Sequence, residues 1–450
     1  MKRILSVLSA AALAIALTAC DKANRDPESS GEVSSETQVG SSEQSTPVDG
    51  IGQNYPRETP LTVLCGGDGF MQAGCGTEDG FYSIQFDAAG GDLDRITYVD
   101  YASRQEVILC ADSSCKHNTE RCTSVLGADM RYFGELFLYG GHLYFINFDH
   151  SDEQKGTELY RMKLDGTGRE LVYTFDEEAS VEHVVVGGES GIWFIISDMS
   201  AEYDEETGAT IFGRKKPALA RFDLSEKKIT EQIPIPESDN ISKRFNGVCG
   251  GKFIFSGVAY PGGKGVLDYA DELGLYDAVG EGDPDKFNKF MSKCEYAFFA
   301  LDVNDKTLNE IYRMKYDDYS GGAPYGDHLY ITEKNGTIKL DIKTGGTEAL
   351  SVPDGYEFGG FVGGRAVYVS ADGERHCFAD PDTGGLTVLE DYKLVIAEMS
   401  DSALVAYDIL EKYNFDGSLG SERYRYALIT FDDLFNGRDN YKVIDMLGGK

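Results

Sequence analysis

Positive charge is scarce in this 450-residue chain: 42 Lys and Arg stand against 76 Asp and Glu, a formal net charge of −34. A surface that acidic repels phosphate backbones, so nucleic acid is excluded as a partner. Tryptophan occurs once, as Trp193, and histidine six times. Chemistry that needs a Trp in every repeat, or a rich supply of imidazoles, has no material here. Neither the H-E-x-x-H zinc-protease signature nor the G-x-S-x-G nucleophile turn occurs. Long apolar runs are also lacking. The one uninterrupted small and aliphatic stretch, Ile4–Leu17, is shorter than the ~20 residues a membrane-spanning helix requires. Glycine, at 53, and Tyr and Phe, at 27 and 24, are abundant. Many turn formers with many aromatics and few apolar runs point to an all-β fold of short strands.

The first residues read as a targeting segment. Lys2 and Arg3 precede the apolar stretch, in the proportions of a signal peptide. The stretch closes on Leu17-Thr18-Ala19-Cys20, which resembles the bacterial lipobox. That resemblance implies cleavage before Cys20, lipid on its sulfur, and an extracytoplasmic protein held at the membrane by that lipid. The expected division is a signal peptide over 1–19, a lipidated N-terminus with a disordered linker over 20–60, and a folded domain over 61–450. The linker is rich in Ser, Glu, Thr and Gly and too poor in aliphatics to bury a core. Forty such residues reach roughly 35 Å root-mean-square.

The remainder is a repeat. One half of each unit is a Gly-rich turn followed by an alternating strand: DGFYSIQF from Asp79, GGHLYFINF from Gly140, SGIWFIIS from Ser190, GGKFIFSG from Gly250, GDHLYITE from Gly326, GGRAVYVSA from Gly363, and a weaker SDSALVAYD from Ser400. The other half is a strand ending in an Asp turn and then a further strand. Its aspartates are Asp100, Asp165, Asp223, Asp302, Asp341, Asp380 and Asp432. Short apolar strands such as LFLYG and HVVVGG precede most of the Gly turns. Four strands in each of seven units of about 56 residues is the content of a β-propeller blade. A blade alone leaves both sheet faces open, and a closed ring covers them. The expected fold is therefore a seven-bladed β-propeller, with six or eight blades as alternative counts. The aspartates are explained by turn chemistry, because a carboxylate can accept from backbone two residues on.

LYRMKLDGTGRELVY (Leu159–Tyr173) resembles the repeat of TolB-like propellers in clostridial cell-surface lipoproteins, largely without assigned function. The resemblance implies a propeller and a surface lipoprotein, and no activity. Members of that family are usually read as six-bladed.

Antiparallel blades place their second-to-third-strand loops, and the connections between blades, on one face. Those segments are unequal in length: long at Asp198–Pro217, Pro261–Lys293 and Glu411–Arg425, and long again in the connection Cys110–Met130. Variable loops on a rigid scaffold are where binding residues usually sit, so this is the expected functional face. The insertion in unit four reads as helical. Val266, Leu267, Ala270 and Leu273 recur near helical spacing, and Asp283-Pro284 forms a helix start ahead of Phe287, Phe290 and Met291. It is expected to pack on the ring as a flap, with a lid over the central channel as the alternative.

The densest chemistry is CADSSCKHNTERC, which places Cys110, Cys115, His117 and Cys122 together. Three Cys and one His form a valid tetrahedral zinc set, which would be structural because it leaves no open position. In an exported chain the same cysteines have disulfides as the rival reading. Cys65 and Cys75 are a possible local pair. The stretch resembles ones found in the clostridial lipoproteins just named.

The expected function is a membrane-anchored extracytoplasmic lipoprotein with a non-catalytic propeller that binds a protein, peptide or glycan. The alternative is a carbohydrate-active or other hydrolytic enzyme using Asp/Glu on the decorated face. His142 and His328 occupy matching blade positions and read as a repeat echo. Trp193 lies mid-strand and reads as core.

Overall fold

The computed structural model describes residues 61–447, apart from 67–73, 86–93, 120, 127–134, 148–155, 177–178, 190, 199–200, 205–208, 213–216, 237–240, 242, 264–283, 374, 380–384, 390 and 414–418. Cys20 and Asp380 lie outside the described residues, as do Val266, Leu267, Ala270, Leu273 and Asp283 of the expected flap.

Seven antiparallel sheets follow one another along the chain; six are made of four consecutive strands, and the third has four strands interrupted by a small hairpin, with a fifth strand added at its inner edge. They span 74–108, 135–174, 179–234, 244–315, 319–350, 356–389 and 395–443, and are blades one to seven. The alternation in the sequence puts one face of each strand toward each neighbouring blade, so every seam is an apolar layer. Phe145 and Met162 of blade two meet Tyr82 and Ile84 of blade one, and Phe137 and Tyr144 meet Val185 and Phe194 of blade three. Ile195 and Leu219 then meet Phe253 and Phe299 of blade four, whose Phe298 faces Leu329 and Ile331 of blade five. The fifth seam is aromatic: Tyr330 stacks on Phe358, with ring centroids 5.4 Å apart, and Tyr325 on Phe361 at 4.0 Å. Val367 and Phe378 of blade six pack on Val405 and Ile429 of blade seven. Leu404 and Tyr426 of blade seven return to Phe81 and Val99 of blade one. The last seam joins last blade to first, so the protein is a closed seven-bladed β-propeller.

Closure is also polar. After the final strand, Asp445 pairs in parallel with Gln105 in the outer strand of blade one, and the Glu106 N–H donates to the Asp445 carbonyl at 2.9 Å. Glu106 is 3% exposed and receives both arms of the Arg423 guanidinium, at 3.1 and 2.9 Å, across the seam from blade seven. The Leu447 N–H donates to the same carboxylate at 2.8 Å, and Arg423 also donates to the Leu447 carbonyl. Nothing in the sequence spacing marks this pair, since its members are joined only by the ring.

The turn aspartates behave as their chemistry dictates. The carboxylates of Asp100, Asp165, Asp223, Asp302 and Asp341 each accept from the backbone N–H two residues on, at 2.8–2.9 Å. Asp432 departs from the expectation. It lies in the first turn of a short helix, Phe431–Phe435, and pairs with Arg438 at 2.7 Å. Thr430 caps that helix by accepting from the Asp433 N–H, and this local capping wins over a seventh Asp turn. The repeat echo of the histidines is geometric: His142 and His328 each sit 6.4 Å from the Tyr two residues on, in the same strand of blades two and five.

On the face of the second-to-third-strand loops, blade three carries a two-stranded hairpin, Ala201–Asp204 with Ala209–Phe212. Blade four carries the helix Pro284–Met291, beginning at proline as its sequence implies. Phe290, Met291 and Cys294 are buried there against Val258 and Tyr260, so this helix packs on the ring as expected. In blade seven the expected loop Glu411–Arg425 is mostly strand. Ser402–Tyr413 and Leu419–Thr430 run on as one long hairpin whose tip, 414–418, lies outside the described residues. A ladder that continues to pair satisfies backbone groups that a loop would have to hand to water.

One strand was not visible in the repeat. Thr62–Gly66 pairs antiparallel with the first strand of blade three, Ala179–Gly188, and makes that sheet five-stranded. First strands line the channel of a propeller, so this added strand lies within it, beside the first strands of blades two and four. Two glycines make the room. A Cβ on Gly187 would lie 3.1 Å from both the Leu64 and the Tyr139 side chains, and one on Gly188 would lie 3.2 Å from the Trp193 indole nitrogen. The pairing Thr62↔Gly187 sets Leu61 at the Asp-turn end of the ring, opposite the decorated face.

Candidate metal centre

Blade one ends its outer strand at Ile108, and the chain then turns back beside the start of that blade's third strand and the Asp turn of blade two. The return is anchored by backbone. Val125 forms a bridge with Arg95, beside the third strand where the fourth has ended. The Ile96 N–H donates to the Ser124 carbonyl at 2.9 Å, and the Ser124 hydroxyl donates to the Ile96 carbonyl at 2.7 Å. Two arginines grip the segment by its carbonyls. Arg95, 3% exposed, donates to His117 at 2.8 Å, and Arg169 donates to Thr123 and Val125 at 3.2 and 2.6 Å.

Between these anchors the chain makes two tight turns. Asp112 accepts from the Ser114 N–H at 2.9 Å, and hydrogen bonds from Ser114 hold its carboxyl below the usual range. The Cys115 N–H donates to the Asp112 carbonyl, and the Cys122 N–H to that of Thr119, each at 3.0 Å. His117 adopts a left-handed backbone conformation, with φ +52°, which few non-glycine residues take unless held there. Its own N–H donates to the Cys115 sulfur at 3.4 Å. The turn thereby swings the imidazole inward, with Nδ1 3.4 Å from the Cys122 sulfur.

The result is that Cys110, Cys115, His117 and Cys122 present four ligand atoms all within 4.8 Å of one another. These are the four residues singled out by spacing, and this Cys3His cluster could hold a metal such as zinc. Three soft thiolates and one imidazole suit a tetrahedral zinc ion, and the N–H to sulfur bond at Cys115 helps to satisfy a thiolate. Cys122 is buried and the other three are half-buried. Burial pushes the Cys122 thiol up to about 11, a cost that a bound cation would reverse by favouring the thiolate. The eight cysteines among the described residues carry free thiols.

Cys65 and Cys75 are also free. Cys65, in the added channel strand, donates its thiol to Glu135 Oε2 at 2.9 Å, and the other carboxylate oxygen of Glu135 lies 3.1 Å from Nδ1 of His183. Burial and the neighbouring Glu135 hold the Cys65 thiol far above its ordinary range, so it serves as a donor and not as a nucleophile. This trio escaped sequence reasoning because its members come from three separate strands. The one local signal was a glutamate opening an otherwise apolar strand, ELFLY.

No family model matches the sequence, and no curated protein matches it. Among solved structures, the chain is similar to an acylaminoacyl peptidase of Pyrococcus horikoshii, at 7% identity and a TM-score of 0.45, over 86% of this chain and 53% of that one. It is also similar to the β-propeller domain of the Trilobed protease from Pyrococcus furiosus, at 8% identity and TM-score 0.42, covering 86% of this chain and 100% of that domain. A puromycin hydrolase matches at 11% identity and TM-score 0.45, over 83% and 53% of the two chains. The chain thus spans about half the length of the peptidase and hydrolase chains. The assignment of seven blades rests on the sheets and seams described above.

Proposed function

We propose that this protein is an extracytoplasmic lipoprotein, tethered through Cys20, whose non-catalytic propeller binds a protein, peptide or glycan on its decorated face, and whose Cys3His cluster holds one structural zinc ion. The observation that carries the binding reading is the strand added at the inner edge of blade three. The strand Thr62–Gly66 lies along the inner edge of blade three, and the carboxylate it meets there, Glu135, is already engaged by Cys65 and His183. That leaves the unequal loops of the decorated face as the variable surface, which is where a rigid scaffold usually carries its contacts. The first described residue, Leu61, lies at the Asp-turn end of the ring, opposite the decorated face. The likeness of Leu159–Tyr173 to TolB-like clostridial lipoproteins, and of Leu17–Cys20 to a lipobox, supports the cellular setting. The described residues supply no observation that favours the hydrolytic alternative.

Two measurements test this reading. Cys20→Ala should move the protein from the membrane to the soluble fraction, since no helix among the described residues is long and apolar enough to span a bilayer. Membrane retention of the variant after signal cleavage would overturn the tether. For the metal, protein purified without oxygen should carry about one equivalent of zinc, with absorption spectra giving three sulfurs at ~2.3 Å and one nitrogen at ~2.0 Å. Cys122→Ser or His117→Ala should abolish stoichiometric binding, because each removes one of only four ligands. A metal content below a tenth of an equivalent in the unmodified protein, after zinc is supplied, would end the zinc reading. The partner itself is sought by capture from cell envelopes on the immobilised ring, with a ring altered only in the decorated loops as the control.

A further inference from the structure

The four ligands of the cysteine cluster are not equivalent. Cys122 is its hub: it is 2% exposed, its sulfur lies 3.4 Å from the imidazole of His117, and both other sulfurs are within 4.8 Å. Cys110 and Cys115 are half-buried, and so more accessible than Cys122. A small reagent arriving from outside therefore meets Cys110 or Cys115 first, with Cys122 immediately behind. The other buried thiols are shielded: Cys65 lies in the added channel strand, Cys249 in a seam, Cys294 under the blade-four helix and Cys377 in the third strand of blade six.

We propose that the metal centre is a redox-releasable lock, in which a two-electron oxidant of the peroxide class joins Cys122 to Cys110 or Cys115 and expels the metal. The proposal rests on the zinc reading above. The chemistry balances in two steps. A thiolate of Cys110 or Cys115 attacks peroxide, the O–O bond breaks, and sulfenic acid and, after protonation, water result. The Cys122 thiolate then attacks that sulfur, forming the S–S bond and expelling hydroxide, which is protonated to a second water. Two thiolates are oxidised, one peroxide is reduced, and two protons are consumed. The ion loses two of its four ligands and leaves as Zn²⁺, because one thiolate and one imidazole hold it too weakly. Proximity favours this route over deeper oxidation: a partner sulfur already within 4.8 Å captures the sulfenic acid before a second peroxide arrives.

The switch is local by construction. The anchors, Arg95 to the His117 carbonyl within the cluster and Arg169 to the Thr123 and Val125 carbonyls just after it, involve no cysteine side chain. Oxidation thus resets the tip of one connection and leaves the ring closed. Metal and disulfide, which the sequence offered as rivals, become two states of one site.

The test uses the full chain, purified in detergent without oxygen and loaded with zinc. Hydrogen peroxide is titrated in, zinc release is followed with a chelating dye, and disulfides are mapped by non-reducing peptide analysis. About one zinc should be released per equivalent of peroxide consumed at the cluster. Every disulfide found should contain Cys122, while Cys249, Cys294 and Cys377 remain reduced. Thiol reductant should restore stoichiometric zinc uptake. Zinc that stays bound while peroxide is consumed would overturn the proposal. So would zinc released with sulfinic acid in place of a disulfide, or a disulfide that omits Cys122. Protein that carries no zinc before oxidant is added fails the zinc reading itself, so the two failures are told apart at the first point of the titration.

Discussion

Glu106→Ala should destabilise the ring by about 3–5 kcal/mol, because it removes the carboxylate that pairs with the Arg423 guanidinium in the seam. Glu106 has a side chain with no exposed surface, and Arg423 is 16% exposed, so water cannot replace the lost partner. The carboxylate also holds the Leu447 N–H, so the C-terminal crossing to blade one loosens at the same time. Urea unfolding measures the effect as a fall in midpoint at unchanged slope. Removing both partners separates the pair from its desolvation cost. Glu106→Leu with Arg423→Met should recover much of the loss, since apolar replacement of a buried pair is often neutral or better. A single variant within 1 kcal/mol of the parent would show that the seam is held by Phe81, Tyr426 and their neighbours alone.

Trp193→Ala carries an expected cost of similar size, about 3–5 kcal/mol. The indole is 5% exposed in the layer between blades three and four, and meets the Phe253 ring edge-on at 6.0 Å. Its loss leaves a cavity that Ile195, Leu219 and Phe255 are too tightly placed to fill, because seams of this kind pack at crystal-like density. Trp193→Phe retains the aromatic contact and should lose clearly less. Since the chain has one Trp, the parent reports on itself. Its emission should shift to longer wavelength on unfolding, in step with loss of β-structure by circular dichroism. An emission maximum already at the solvent-exposed position in the folded protein would contradict the burial.

The two costs come from different levels of organisation, and the difference governs what could be read in advance. Trp193 was legible as core because it sits in an alternating strand, SGIWFIIS, whose period alone assigns it to a buried face. The same period, repeated with Gly turns and Asp turns, determined four strands per unit and seven units. It also marked the excursions of blades three and four, although the loop expected in blade seven is mostly strand, and the cysteine spacing named all four members of the Cys3His cluster. These are local properties: a two-residue alternation, a carboxylate bonding its own turn, ligands a few residues apart. Where a competing local signal was stronger, the repeat misled, as at Asp432, where Thr430 caps a helix instead.

Tertiary structure decided what depends on ring geometry. Glu106 and Arg423 meet only because seven blades bring the last beside the first, and no window of sequence contains both. Leu61, Leu64 and Cys65 read as the edge of a linker, yet Gly187 and Gly188 make room for them in the channel. Closure itself was implied by the need to cover sheet faces, but the means of closure was not. The amino-acid sequence by itself determined the blades and the members of the Cys3His cluster, whose His117 is turned inward by bonds to Cys115 and Cys122 only a few residues away. Only the folded ring decided what seals it and which strand is added inside it, since those outcomes are set by contacts between residues far apart along the chain.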